Sequence, residues 1–391
     1  MKKDKKDIFT RTVVRLLTGA IRFRRARLNA KPLRPEVVSL ALTIRCNSHC
    51  IMCNMWRQAS KVPDIDRLEL TRDEIISLLS KPLFTGLVEL DLTGGEPHLR
   101  DDLVGIVLNI ASLKKDNFPR LRSIVITSNG LLPERIVSNY RAILKGLKDT
   151  GIDLVSVASL DGIGEVHDRI RGTKGAYNFA MQTLEGLSEL KKEYRDYYVG
   201  VKTTVLPRNI DSLDAIREYA ESKDFFHIIS PVFFTEARFR NSDKRESLKL
   251  SPADRDKLLQ FYRNDALDTS YFYSRIRDYL ATGEKSWSCT AAYNYLFIDY
   301  DGSVYPCELL SESIGNVREK AIEDIWKSKA AKEWRDKIDR IDMCRACIEP
   351  GAVRYSACAE GLSYLGFLRD LGRKRYLDSL SGEGFIKYMQ E

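Results

Sequence analysis

Between residues 37 and 234, six apolar, β-rich runs alternate with stretches of helical period, and this alternation constrains the fold more than any other feature. The runs are residues 37–44 (VVSLALTI), 87–92, 122–127, 152–159, 198–206 and 225–234. Helical stretches fill the gaps. Residues 71–80 open on Thr71 with Glu74 three positions on, the pattern of a capping box. Residues 101–113 begin with two aspartates, which suit a helix N-terminus, and residues 133–147 carry Pro133 in the first turn. Residues 176–194 and 211–220 follow. Strand and helix in strict alternation imply a parallel sheet with right-handed crossovers. The near-continuous apolar character of the runs suits a barrel or a doubly wound sheet covered on both faces. In both, ligands gather at the carboxyl ends of the strands.

At 391 residues the chain exceeds one small domain, and 43% hydrophobic with 30% charged residues is the balance of a soluble globular protein. No run of 18 apolar residues occurs, and the charged N-terminus has neither an apolar core segment nor a small-residue cleavage site. A spanning helix and a secretory leader are therefore not expected. The net charge of +8 is local: residues 1–35 carry twelve Lys/Arg against two Asp, which leaves the rest slightly acidic. That argues against nucleic-acid binding by the body and for an acidic contact at the N-terminus. Residues 8–28 read as a basic amphipathic helix, either resting on an anionic membrane surface or packed on the body.

The eight cysteines fall in two groups, Cys46, Cys50 and Cys53 near the start, then Cys289, Cys307, Cys344, Cys347 and Cys358. Without a leader, such grouping points to metal or cluster ligation in a reducing compartment rather than disulfides. Cys46, Cys50 and Cys53 form C-x3-C-x2-C directly after the first strand run. Three thiolates at this spacing can wrap one face of a [4Fe-4S] cluster and leave one iron without a protein ligand. The alternative is a zinc site completed by His49 or a distant residue. In the second group, C-x12-G-x4-C joins Cys289, Gly302 and Cys307 across an expected hairpin turning at Tyr300-Asp301-Gly302. Cys344 and Cys347 form C-x2-C, so four thiolates can saturate one further site, with Cys358 left over or competing for a position. A zinc ribbon is the alternative there. His49, His98, His167 and His227 are scattered and read as structural.

C-x3-C-x2-C at the end of a first barrel strand resembles the radical S-adenosylmethionine (SAM) superfamily. Independent segments support the likeness. TGGEP (Thr93, Gly94, Gly95, Glu96, Pro97) resembles the motif whose backbone and glutamate hold the SAM amino group. TSNG with Ser128 and Asn129, and SLDG with Ser159 and Asp161, resemble segments near the SAM ribose and carboxylate. HDRIRG supplies Arg171, the counterpart of an arginine that reaches the SAM carboxylate. Met52 stands where the family often has an aromatic residue beside adenine, and its thioether can fill that place. The second cysteine region resembles the SPASM/Twitch class of auxiliary-cluster domains. Five cysteines instead of seven fit a single auxiliary [4Fe-4S] cluster, held by four of Cys289, Cys307, Cys344, Cys347 and Cys358. Glu308, directly after Cys307, occupies the place of a general base in related dehydrogenating enzymes.

The resemblance implies a partial (β/α)6 TIM-like barrel at residues 37–240, preceded by a basic extension (1–36). A helical linker (241–288), an auxiliary-cluster domain (289–358) and a helical tail (359–391) would follow. It implies reductive cleavage of SAM to a 5′-deoxyadenosyl radical that abstracts hydrogen from substrate. The cluster and SAM carry the chemistry while the protein positions the carbon and excludes water. A low-potential donor of the flavodoxin or ferredoxin type is the implied partner. Residues before the first strand are too few for an N-terminal peptide-recognition module. The expected substrate is therefore a small, lipid-linked or sugar-linked molecule. The alternatives are a peptide maturase and, in another class, a zinc- or cluster-binding protein without turnover. The expected location is cytoplasmic, with the basic helix at the inner membrane face.

Overall fold

The structure is a computed structural model that describes residues 2–236, 238–382 and 384, without the side chains of residues 2–7, 373 and 374. Six parallel strands run in chain order: β1 (Val37–Ala41), β2 (Glu89–Thr93), β3 (Ser123–Ser128), β4 (Asp153–Ser159), β5 (Tyr197–Val205) and β6 (Phe226–Pro231). The hairpin expected around Gly302 is present as β7 (Tyr295–Ile298) and β8 (Ser303–Tyr305), extended by the short β9 (Gly315–Asn316). The hairpin is not a separate sheet: β7 lies beside β1, and one nine-stranded sheet runs β6-β5-β4-β3-β2-β1-β7-β8-β9. Gly302 makes the turn at φ 85°, a conformation open mainly to glycine, and its N–H donates to Asp299 O at 2.9 Å.

The register separates two faces that the apolar runs had merged. Val38, Leu40, Leu90, Leu92, Ile124, Ile126 and Leu154 share one face and are at most 2% exposed. Each such side chain contributes roughly 1.5–3 kcal/mol on burial. The helices Leu103–Ser112, Pro133–Leu147 and Ala176–Glu193 pack against one another. Tyr140 of the middle helix reaches the apolar face, donating to Ile126 O at 3.2 Å. The other face carries Ser39, Glu89, Asp91, Thr93, Ser123, Thr127 and Lys202 among Val37, Val125 and Val157, so the barrel interior combines polar and apolar groups. Ser39 bonds Asp91 there at 2.8 Å.

Helix starts follow the sequence signals. Thr71 and Glu74 cap Arg72–Leu79 reciprocally, and Pro133 opens its helix. Asp101 and Asp102 do not cap Leu103–Ser112: their carboxylates turn to Arg135 and Arg100 at 2.7–2.8 Å. Arg100 is drawn inward by the carbonyls of Leu42 and Leu70, so ion pairing outcompetes the free N–H groups.

The chain divides into two compact units that do not follow chain order. One comprises Arg34–Leu250 and Leu296–Trp326 and contains the sheet from β1 to β6. The other comprises Met1–Leu33, Ser251–Tyr295 and Lys327–Glu391. In this unit the N-terminal helix Lys2–Leu28 packs on the helices Pro350–Glu360 and Leu362–Gly382. Among the described residues no helix is long and apolar enough to cross a membrane.

Candidate active site

Cys46, Cys50 and Cys53 lie in the loop between β1 and the short helix Met55–Ala59, at the carboxyl edge of the sheet. This loop is strapped from several sides. His49 N–H and Ser48 Oγ donate to Arg171 O, and Ile51 N–H donates to Ile170 O, at 2.9–3.2 Å. The contact explains Gly172: a Cβ there would stand 2.3 Å from His49 O. From the segment after β6, Asn241 Nδ2 donates to Met52 O at 2.7 Å and Lys244 Nζ to Cys53 O at 3.3 Å. Asn54 returns a bond to Arg240 O at 2.7 Å. Asn241 is fully buried, yet nothing in its local sequence marked it for the site, because Met52, its partner there, lies 189 positions away.

Every sulfur of the triad has a polar neighbour within bonding reach. Asn129 Nδ2 stands 3.7 Å from Cys46 Sγ, Arg171 Nη1 3.7 Å and Ser48 Oγ 3.1 Å from Cys50 Sγ, and Met55 N–H 3.5 Å from Cys53 Sγ. Donors placed this way favour thiolate ligands. Burial pushes Cys46 up to about 12 and Cys53 up to about 11, with Cys50 adding to both. Their protons leave readily only when a cation replaces them. Among the described residues no three His, Cys, Asp or Glu side chains converge as one bound ion requires. A four-iron cluster asks less, one iron per thiolate.

The glycines of TGGEP are required by close approach. Gly95 N–H donates to Thr43 O and Glu96 N–H to Arg45 O, both at 2.7 Å, so this segment runs against the chain entering Cys46. A Cβ on Gly94 would lie 2.3 Å from Thr43 O, and one on Gly95 2.0 Å from Arg45 O. The Glu96 side chain is fully buried. It accepts from Asn129 N–H at 2.6 Å, His98 N–H at 3.1 Å and Ser128 Oγ at 3.1 Å. Glu96 thus ties the β2 loop to the β3 loop, a positioning role the sequence did not reveal. Desolvation raises its carboxyl to about 7 against those bonds.

At the end of β4, Ser159 is buried and Asp161 is fully buried. Asp161 pairs with Arg171 at 2.5 Å and accepts from Thr204 N–H at 2.7 Å. Burial works against the Arg171 charge, but Asp161 and Cys50 outweigh it and raise its pKa. Arg171 Nε is buried without a hydrogen-bond partner, a donor left available in the site. Met52 packs with Cys50, Ile170, Leu206 and Leu248. Pro97 and His98 are buried beneath the loop. Burial holds His98, His167 and His227 down to about 3, so all three are neutral.

Arg238, absent from the sequence expectations, donates to both Thr93 Oγ1 and Glu308. It lies 5.3 Å over the Phe297 ring, and its Nε is buried without a partner. Its charge and that of Lys202 both oppose the burial that raises the Asp91 carboxyl in the barrel interior. The lone signal for Arg238 was its place just after the sixth strand.

The second cysteine group is split between the units. Cys307, with Glu308, follows β8 in the sheet-bearing unit. Cys289, Cys344 and Cys347 lie together in the other unit. Burial raises all three, with Cys289 adding to the shift of Cys347. Cys289 N–H donates to Asp339 at 3.0 Å, and Lys285 Nζ donates to Asp339 at 2.6 Å and Cys344 O at 3.2 Å. Cys289 Sγ accepts from Ala291 N–H at 3.4 Å. Cys358 is buried in the helix Pro350–Glu360.

A family model described as the Radical SAM superfamily matches residues 40–220. Another, described as the SPASM iron-sulfur cluster-binding domain, matches residues 289–348. AdoMet-dependent heme synthase of Methanosarcina barkeri (strain Fusaro / DSM 804) is 28% identical over 80% of this chain and 88% of that protein. Sporulation killing factor maturation protein SkfB of Bacillus subtilis (strain 168) is 26% identical over 74% and 64%. The solved structure of anSMEcpe with bound AdoMet shares the fold, with a TM-score of 0.54 at 18% identity over 90% of this chain and 97% of that one. With thiols, donors and loops gathered at the edge where the fold binds ligands, these matches place the chain in the radical SAM superfamily, as an enzyme of [4Fe-4S] clusters and SAM with a C-terminal SPASM domain.

Proposed function

We propose that the chain abstracts hydrogen from a small, lipid-linked or sugar-linked molecule that bears a carboxylate. When bound, the cluster and SAM supply a 5′-deoxyadenosyl radical on one-electron reduction. Cys46, Cys50 and Cys53 hold three irons. Thr93, Gly94, Gly95 and Pro97 line the SAM amino end, with Glu96 holding that loop to Ser128 and Asn129. Ser159, Asp161 and Arg171 serve the ribose and carboxylate, and Met52 the adenine. Cys289, Cys344 and Cys347 would hold an auxiliary cluster, with Cys358 of the same unit competing for a position. Arg238 and Lys202 attract the substrate carboxylate into the interior; once a hydrogen atom has been abstracted, Glu308 would accept the proton and the auxiliary cluster the electron that the substrate radical gives up. A low-potential flavodoxin or ferredoxin supplies the electron. The chain works in the cytoplasm.

The observation that carries this reading is the Arg238–Glu308 pair beside Thr93, at the strand ends that present the three thiols. The likeness to the heme synthase, whose name implies a tetrapyrrole product, favours a carboxylate-rich small molecule. The likeness to SkfB favours a second reading, a peptide substrate. The test is anaerobic reconstitution, with iron, sulfide and zinc measured beside 5′-deoxyadenosine formed from dithionite and SAM. About eight iron per chain with cleavage is expected for two four-iron clusters; zinc alone without cleavage overturns the proposal. Deuterium transfer into 5′-deoxyadenosine from labelled porphyrinogens or labelled peptides then separates the two substrate readings. Glu308→Gln should keep SAM cleavage while product falls on the order of a hundredfold or more.

A further inference from the structure

The N-terminal helix Lys2–Leu28 is amphipathic on two opposite sides. At about 100° per residue, Thr12, Leu16, Gly19, Ala20, Phe23 and Ala26 share one side, and all are buried. That side packs on the helix Pro350–Glu360, so closely that a Cβ on Gly19 would stand 2.5 Å from Cys358 O. Phe23 meets the Tyr293 ring edge-on at 5.4 Å. This packing accounts for one apolar stripe of the helix and leaves a second.

Val14, Leu17, Ile21 and Leu28 lie on the opposite side, 54%, 40%, 53% and 87% exposed. Their spacing confines them to a sector of about 60°. Exposed Arg24 borders one edge of this stripe, and exposed Arg25 borders the other. Residues 8–28 hold six arginines and no acidic residue, although the chain beyond residue 35 is slightly acidic. Single exposed leucines are ordinary on protein surfaces. Four apolar residues on one stripe, rimmed by cations, are the pattern of a helix lying in the plane of a charged interface.

We propose that this outer face docks on an anionic lipid bilayer, with the stripe at the headgroup–acyl boundary and the arginines on lipid phosphates. The charge selects this occupant. A second copy of the same face would set arginines against arginines, and a purely apolar partner would leave both rims unmatched. Phosphates satisfy guanidinium groups in bidentate fashion, and arginine stems can cover apolar surface while their heads stay at the headgroups. The buried side remains packed on the unit throughout, so docking requires no unfolding. The proposal stands apart from the substrate reading, since it concerns where the enzyme sits.

The test is co-sedimentation of the full-length, cluster-loaded protein with vesicles of phosphatidylglycerol and phosphatidylcholine in equal parts, and with phosphatidylcholine alone. Binding to the mixed vesicles, released by high salt, is expected. Ile21→Asp should lower the partition on the order of tenfold. The pair Arg24→Gln and Arg25→Gln should lower it by about fivefold per arginine. Both variants should retain SAM cleavage in solution and an unchanged melting temperature. Failure of the wild type to bind, equal binding to neutral vesicles, or unchanged partition of the variants would each overturn the proposal. So would a salt-stable dimer that Ile21→Asp disperses while no vesicle binds, which would assign the face to a second copy.

Discussion

The two cysteine regions are built on different plans. Cys46, Cys50 and Cys53 fall within eight residues, and a single loop between β1 and the next helix presents them all. Cys289 and the Cys344/Cys347 pair are more than 50 positions apart and meet only through tertiary packing. Each region also sets a cation and a carboxylate beside its thiols, the buried pair Arg171 with Asp161 in the first and the partly buried pair Lys285 with Asp339 in the second. The support differs. Arg171 is the sole cation paired with Asp161 among the described residues. Asp339 is shared by Lys285 at 2.6 Å, Arg27 at 3.2 Å and Cys289 N–H at 3.0 Å. The first site concentrates its electrostatics in one buried pair. The second distributes them over three groups.

The largest effect expected from this contrast is on iron and cleavage. Cys53→Ala should take 5′-deoxyadenosine formation to background. Cys347→Ala should lose about four iron per chain, one cluster's worth, yet retain SAM cleavage. Iron analysis and product detection on both variants check this, and equal loss of cleavage in both would break the comparison. Stability comes next. Arg171→Met leaves the Asp161 carboxylate buried and unpaired, which costs about 3–5 kcal/mol. Lys285→Met leaves Asp339 two remaining partners and should cost about 1–2 kcal/mol. Denaturant midpoints of the two variants, prepared without iron, measure the difference.

The smallest effect tests an outlying ion pair that joins the hairpin region to the barrel helix Arg72–Leu79. Arg318 bonds Glu74 at 2.7 Å and holds its carboxyl down to about 2, against an ordinary 4.5. A depressed carboxyl contributes stability that is complete above its unfolded pKa and is lost as pH falls through its folded one. The Glu74 contribution should therefore fade between about pH 4.5 and 2. Because Glu74 is 37% exposed, screening limits it to less than about 1 kcal/mol. Arg318→Gln should flatten the stability curve in that window. Thr71→Ala, which breaks the capping box on the same helix, should cost about 1 kcal/mol near neutral pH.

Period and capping chemistry act over a few residues, so the six strands, the Thr71 cap and the Gly302 turn were legible directly in the sequence. The C-x3-C-x2-C triad was legible for the same reason, since one loop carries it. The basic helix was legible as amphipathic, but which of its two apolar stripes would be buried was not: only the packing on Pro350–Glu360 decided that. Tertiary structure also decided that β7 joins β1, that Glu96 ties two loops together, and that Asn241 and Arg238 reach the site. In each of these cases the partner is remote in sequence. A side chain's local pattern records its helix or strand face, whereas a hydrogen bond to a distant carbonyl depends on how separate elements pack. Local propensity determined the elements and the thiol triad; burial and remote pairing determined which charges and amides surround it.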